Sequence, residues 1–464
     1  MNVDSYDKLQ FALLSGRVDE CGAFLASRHE SDKGSAEYWY WLAQMYYRSG
    51  RFQDALDVGS KLTREAGVFA MHFHFMADVC AHLGVTDIGL SALDTLASKP
   101  ELAAASSYYV RLCGYHYLGE DDAVLSVRRD AVTPLSPGSE QYRARSVMRS
   151  QGIATGVGAF CSTYCSRQAV ADFSPTLNVE RYWCGQRELP KRLSIEGHSS
   201  GFGDFIQWAR YAQALQALGV EISWAAGLNG ILGDYKLNDH SHQLAQQLVA
   251  AGFVCGRNDT SMWSDPFALF ASLFPVLNYG STDRYIAQRT DNQVEQTLND
   301  IRQRAQGRRC VGIFWSSCES NNLYASRSLL HQHLAPVWDA SDDIHWVIMQ
   351  RGYQRACWLD GSYSKDPQRC TILPAHISLA QTIGIIDCLD GFVGNDGVLS
   401  HAAGALNKPG YLLLNARCAD WRYEQSVGTT PWYPSLKVLR PDTMGDWDAV
   451  VAKLISSVKS WEAA

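Results

Sequence analysis

"FVGNDGVLSHAAGALNKPGYLLL", residues 392–414, decides how the second half of the chain folds. An apolar run stops at a polar turn, Asn395-Asp396-Gly397. A stretch rich in small residues follows and reads as a helix, and after Pro409 a second apolar run begins. Strand, helix and strand in that order make a βαβ unit, which implies a parallel sheet. In open sheets of this kind the ligand crevice lies beyond the carboxyl ends of the strands. Asn395, Asp396 and Gly397 therefore stand where a ligand is expected, with His401 about a turn into the helix. The helix N-terminus favours a phosphate there, and the Ala and Gly residues allow close packing on the sheet. From this stretch alone a satisfied packing histidine fits His401 as well as a ligand-facing one.

Working outward, the same texture recurs. "CVGIFW", "IHWVIMQ", "CTILP" and "DGFVG" read as further strands of one series, with helical patterns between them. Earlier in the chain "RLSIEG" reads as a strand and "SSGFGD" as a turn. "FIQWARYAQALQALG" is an amphipathic helix and "VEISWAAG" the next strand. A polar connection, "DRYIAQRTDNQVEQTLNDIRQRAQGRRC", reads as helical and separates the two series. Two α/β halves joined in this way suggest two Rossmann-like domains facing across a cleft.

The first third is helical by pattern and repeats itself. Trp39, Leu42, Ala43, Tyr46, Gly50, Phe52 and Ala55 follow the tetratricopeptide (TPR) spacing. Phe73, Met76, Ala77, Cys80 and Gly84 recur 34 residues later in the same register. A looser copy falls at Tyr109, Leu112, Cys113, His116, Gly119 and Ala123. Such repeats bury their faces between neighbours and leave a groove that recognises proteins more often than it performs chemistry. The helix-rich transition that follows contains the breaks "TPLSPGSEQ" and "DFSPTLN".

Composition narrows the function classes. The chain has 464 residues, 46% hydrophobic and 19% charged, which calls for two or three globular domains. The net charge of −7 and the lack of a Lys/Arg block argue against nucleic acid or an anionic membrane as the main partner. Thirteen scattered cysteines fit buried thiols in a reducing compartment. Neither a secretion signal nor a membrane-spanning stretch is evident, so a cytoplasmic, soluble protein is expected. The pairs His72/His74, His240/His242 and His331/His333 lack the strand setting and the companion ligands of a metal site, and no metal or cofactor is expected.

Three pieces carry chemistry. In "HSSGFGDFIQWARY", Gly201 and Gly203 permit a tight turn with close backbone approach, and Asp204 sits in the first helical turn. A carboxylate there is a good structural cap. The third glycine of the dinucleotide fingerprint is missing. In "CVGIFWSSCESNNLYASRSLL", a strand ends in a loop with Ser316, Ser317, Asn321, Asn322 and Arg327. Hydroxyls and a bidentate guanidinium suit a diphosphate, and a solvated loop is the plain alternative. Gln350 and Arg351 repeat the theme after the next strand. The opening stretch is the third piece.

Together these pieces resemble a family. "VGNDGVLSHAAGALNKP" is similar to the V-G-N-D-S-G-x-x-H-x-A-A-A-L-x-x-P segment of heptosyltransferase-like glycosyltransferases (family 9). "GFGDFIQWARY" is similar to their glycine loop and closer still to the "GLGDTLQFCRY" type of bacterial TPR–glycosyltransferase fusions. "DWRYEQSVGTTPWYPSLKVLRP" is similar to the closing segment of those fusions. The order of TPR repeats and transferase also resembles the protein O-GlcNAc transferases, without their long motifs.

The resemblance implies an α + α/β fold, with TPR-like repeats followed by a GT-B pair of Rossmann-like domains. The expected limits are 1–130 for the repeats, 131–190 for a helical linker, 191–290 for the acceptor-side domain and 291–464 for the nucleotide-sugar domain. It implies an inverting, metal-independent transferase with a nucleotide-sugar donor as co-substrate. Asp204 matches the general base, which displaces the cap reading, and His401 matches the family histidine. Gly201, Gly203, Ser316, Arg327, Gln350, Asn395, Asp396, Gly397, Trp421 and Arg422 are the implied donor-binding set. Arg327 would offset diphosphate charge, and Trp421, Arg422, Trp432 and Tyr433 lie in the closing segment, whose aromatic rings would stack on base or sugar. Trp39, Tyr46 and Phe73 are the expected acceptor-binding residues of the repeat groove. The acceptor suggested by the fusions is a protein of flagellin or adhesin type. The competing readings are a lipopolysaccharide or other glycan acceptor, and a non-catalytic scaffold. Two departures stand out: Gly397 replaces a Ser/Thr, and Ser199-Ser200 replaces the fusions' Glu-Gln.

Overall fold

The computed structural model describes residues 5–14, 17–28, 32–63, 70–98, 104–129, 137–173, 178–186, 188–195, 201–224, 254–255, 262–280, 283–286, 291–317, 323–360, 369–417, 420–423 and 428–461. Ser199, Ser200, His240, His242, Asn321 and Asn322 lie outside these residues.

The repeat spacing becomes helix pairs. The first helices are Ala36–Arg48, Ala70–Leu83 and Ala104–Tyr117, each beginning 34 residues after the last, and their partners are Phe52–Leu62, Thr86–Ala97 and Asp121–Ser126. At each corner the chain turns through a glycine of positive φ, Gly50 (+74°), Gly84 (+72°) and Gly119 (+78°), a conformation that costs other residues energy. Ser35 caps the first of these helices by accepting from the N–H of Tyr38.

The stack does not stop at residue 130. Helices Pro137–Gln151 and Ile153–Tyr164 form a hairpin on it. On one side Arg149 pairs with Asp121 and the hydroxyls of Tyr142 and Tyr117 meet. On the other side Met148, Val157 and Phe160 join a hydrophobic core with Trp208, Phe267, Phe270 and Trp421. The segment read as a linker is thus a packed bridge to the α/β region.

The first α/β unit holds strands β1 (Arg192–Ile195), β2 (Glu221–Trp224), β3 (Val254–Cys255) and β4 (Met262–Ser264). They are parallel, in the order β3-β2-β1-β4, with helix Phe202–Ala217 joining β1 to β2. The polar connection forms helix Asn292–Ala305, capped by Asp291 on the N–H of Val294.

Among the described residues the second unit is a seven-stranded sheet. Its strands are β5 (Arg309–Phe314), β6 (Ile344–Ile348), β7 (Cys370–Ile372), β8 (Gly391–Asn395), β9 (Gly410–Leu413), β10 (Gly428–Thr430) and β11 (Tyr433–Leu439). The order is β10-β11-β9-β8-β5-β6-β7, all parallel except the β10–β11 pair. From β5 the chain first runs outward through β6 and β7, then returns to β8 on the other side. The order therefore reverses between β5 and β8, where Phe314 pairs with Gly394. A reversal of this kind opens a crevice at the carboxyl ends of the two strands. The sequence expectation of helical repeats followed by two Rossmann-like units is what the structure has. The sequence marks the stretch of the β10–β11 hairpin only as a closing segment, without its antiparallel pairing.

Candidate active site

Both strand ends at the reversal are polar. β8 ends at Asn395, the turn passes Asp396, and Gly397 caps the helix Val398–Ala405. β5 runs on into Ser316 and Ser317, which are buried. Gln350, beyond β6, holds this strand end: its Oε1 accepts from the N–H groups of Trp315 (3.0 Å) and Ser316 (2.9 Å), and its Nε2 donates to the Ser316 carbonyl (3.2 Å). Gln350 is thus a positioning group, buried and committed to backbone.

Arg327 reaches the same point. Its Nη2 pairs with the Asp396 carboxylate and donates to the Asp396 carbonyl (3.3 Å). Asn395 donates to the Arg327 carbonyl, so turn and loop are cross-tied. Tyr423 OH donates to the other carboxylate oxygen of Asp396 (2.9 Å), and His401 Nε2 lies 3.7 Å from that oxygen. The second ring nitrogen of His401 is bonded to Tyr433 OH at 2.9 Å.

The other α/β unit faces this array. Gly201 caps the helix Phe202–Ala217, and Asp204 Oδ2 accepts from its N–H (2.8 Å). The cap reading of Asp204 is therefore realised in its N3-to-cap half; glycine has no side chain to return the bond. The other oxygen, Oδ1, pairs with Arg422. Arg422 also pairs with Asp420 (3.2 Å), and its guanidinium lies over the rings of Phe267 (5.5 Å) and Trp208 (5.7 Å). Gly203 packs on His401: a Cβ there would stand 2.6 Å from Cδ2 of the imidazole.

Three carboxylates and two guanidiniums thus share one buried crevice. Burial raises the Asp396 carboxyl above its ordinary value, with Arg327 opposing. Burial pushes His401 well below its ordinary value, and Arg422 and Arg327 add to that, so the imidazole is neutral. For Asp420 burial is outweighed by Arg422 and Arg327, and its carboxyl lies below the usual range. Arg422 stays charged, since burial is outweighed by Asp420, Asp204 and Asp396. Among the described residues Arg422 Nε is buried with no hydrogen-bond partner. A guanidinium N–H in that state suits an additional anion.

Gly201, Gly203, Asp204, Ser316, Arg327, Gln350, Asn395, Asp396, Gly397, His401 and Arg422 therefore come together. Trp421 does not face the crevice. It is buried, 4.9 Å from Phe270 and stacked near-parallel (9°) on Trp208 at 6.2 Å. Trp432 is buried as well, its indole N–H bonded to the Arg422 carbonyl (2.6 Å). Phe73 is fully buried inside the helical stack, where no acceptor can touch it, whereas Trp39 and Tyr46 are partly exposed. Asp420 and Tyr423 were not expected at the site, and Tyr433 was expected there as a stacking ring, not as a hydroxyl partner of His401. All three belong to the closing segment, whose sequence points to its aromatic rings and Arg422 rather than to its carboxylate and hydroxyls.

The remaining histidine pairs are satisfied locally. His72 bonds the Gly59 carbonyl (2.9 Å), His74 the Tyr117 hydroxyl (3.0 Å), and His333 accepts from the N–H of Leu330 (3.0 Å). Among the described residues no group of acidic, His and Cys side chains is arranged to hold a metal, and no helix is long and apolar enough to cross a membrane.

Neither a protein-family model nor a curated protein matches the sequence. Solved structures do. E. coli heptosyltransferase WaaC with ADP-2-deoxy-2-fluoro heptose matches 58% of this chain and 99% of its own, at 14% identity and a TM-score of 0.33. The same enzyme with ADP matches 58% and 98%, at 16% identity and 0.31. A point variant of the Thermobaculum terrenum O-GlcNAc transferase matches 98% of this chain and 92% of its own, at 12% identity and 0.35. Likeness at this level carries no argument about fold or chemistry.

Proposed function

We propose that the protein is an inverting, metal-independent glycosyltransferase that moves a sugar from a nucleotide-sugar donor to a protein acceptor. The observation that carries this reading is the Arg422–Asp204 pair. It sets a permanent cation of the second α/β unit against a carboxylate at a helix start of the first, beside the strand reversal.

In this reading the donor diphosphate lies along Arg327 and Arg422, at the start of the helix Val398–Ala405. Asp204 removes the proton from the acceptor hydroxyl as its oxygen attacks the anomeric carbon. The bond from that carbon to the diphosphate oxygen breaks, and the electron pair leaves with the diphosphate. Two guanidiniums disperse the charge that develops there. Neutral His401 keeps Gly203, Asp396 and Tyr433 together on the leaving-group side. Arg422 must shift its hold from Asp204 to the donor for the carboxylate to act as a base.

The helical stack supports a protein acceptor, since stacked repeats present a groove suited to peptide. Flagellins and adhesins are the acceptor class to try first. The test is thermal shift and calorimetry with ADP, GDP, UDP and CDP and their common sugars, followed by turnover with the donor found. Asp204→Asn is expected to keep nucleotide binding and lose turnover by a hundredfold or more, roughly the range of general-base removal. An Asp204→Asn enzyme of unchanged rate would rule out Asp204 as the base.

A further inference from the structure

We infer that the helical repeats are part of the donor site, because buried Asp78, together with Tyr47, fixes the turn that carries Arg327. This rests on the reading of Arg327 as a donor-binding residue.

Asp78 lies within the helix Ala70–Leu83 and has no exposed surface. Its carboxylate accepts from the N–H groups of Ala325 (2.8 Å) and Ser326 (3.0 Å), both in the second α/β unit, and from Tyr47 OH (2.6 Å). The Tyr47 oxygen accepts from the N–H of Tyr324 (3.2 Å). One turn along the same helix, His82 Nδ1 donates to the Ala325 carbonyl (2.8 Å). Three successive peptide N–H groups are thus held by two side chains of the repeats.

The next residue is Arg327, bonded to Asp396. Ser328 follows, its hydroxyl accepting from the N–H of Ser317 at the end of β5. The path from repeat to crevice is therefore continuous. Apolar side chains alone would dock two surfaces. A buried carboxylate is costly unless its oxygens are bonded, and here each bond is directed at one turn. Any shift of the Ala70–Leu83 helix, such as an acceptor pulling on the stack, is transmitted to Arg327.

The test uses the full chain with Asp78→Ala, Tyr47→Phe, Arg327→Ala and the double variant Asp78→Ala/Arg327→Ala. Amide exchange of the peptide spanning 324–328 reports the turn without any ligand. Titration with ADP, GDP, UDP and CDP reports the donor site. Asp78→Ala and Tyr47→Phe should both speed exchange. Asp78→Ala should weaken nucleoside diphosphate binding roughly tenfold, the scale of one charge-assisted contact. The double variant should bind no worse than Arg327→Ala, because Asp78 acts through Arg327. Should Asp78→Ala not fold, Tyr47→Phe carries the same comparison, with a smaller loss.

Unchanged exchange, or unchanged affinity beside a weakened Arg327→Ala, overturns the inference and leaves the function standing. Additive losses in the double variant overturn it too, since Asp78 would then act by another route. A wild-type chain that binds none of the four diphosphates removes the donor reading, and this inference with it.

Discussion

Gly397 and Phe314 compete for one space: a Cβ on Gly397 would stand 2.6 Å from Cε1 of the Phe314 ring. Phe314 ends β5, and Gly397 caps the helix that follows β8, the two strands that flank the reversal. The sequence departs from its resembled family here, with glycine in place of a hydroxyl residue. The place of that side chain is not vacant, since a buried aromatic ring fills it. Glycine is needed here for the ring and not for the backbone, which is extended at φ −167°.

Gly397→Ser is therefore expected to destabilise the protein by about 1–3 kcal/mol, the usual range for overfilling a packed site. In a Phe314→Leu background the same substitution should cost markedly less, because the clash is removed. Urea unfolding of the four proteins measures both costs. Equal costs in the two backgrounds would mean that the ring is not what excludes the side chain.

Trp421 gives a second test. Its ring packs against Phe270, Trp208 and Phe160, which belong to the first α/β unit and the helical bridge. Trp421→Ala should cost about 3–5 kcal/mol of stability, as large aromatic truncations do. Nucleoside diphosphate affinity, measured below the melting transition, should change little. A collapse of affinity with stability intact would instead place the indole against the donor.

What was legible in the sequence follows the range of the interactions. Helix pairs were legible because each is a local pattern with a glycine at its corner, Gly50, Gly84 or Gly119. The strands of the second sheet were legible because buried parallel strands are unbroken apolar runs. Arg327, Asp396 and His401 lie just beyond such runs, whereas Asp204 reads as a helix cap until the resemblance to known transferases gives it a role. Phe73 was misjudged because a repeat-signature aromatic fills the neighbouring helix instead of the groove. Trp421 was misjudged because an indole next to a charged residue looks exposed in a sequence. Asp78 gave no signal at all: its partners Ala325 and Ser326 lie 247 and 248 positions away.

The buried histidines make stability depend on pH in a defined sense. Burial pushes His72 down to about 3, His74 to about 4 and His82 to about 3, from an ordinary 6.5. His333 and His401 are lowered as well, again by burial. Below pH 6.5 the unfolded chain binds a proton on each imidazole more readily than the folded chain does. Protons therefore favour the unfolded state, and stability falls as the pH is lowered through 6.5 toward 4. His72, His74 and His82 each contribute up to roughly 1.4 kcal/mol per pH unit in that window, and His333 and His401 act in the same direction. Asp78 and Asp396, raised by burial, take up protons on folding and act in the opposite sense above their unfolded value of 3.8. Five imidazoles outnumber two carboxyls, so the melting temperature should be level above pH 7 and fall steeply between 6.5 and 5. Thermal unfolding at constant ionic strength from pH 8 to 5 measures this. A flat profile would mean that these imidazoles gain protons within the folded state, and that water reaches a helical core which the packing of His74 against Tyr117 and of His82 against Ala325 says is closed.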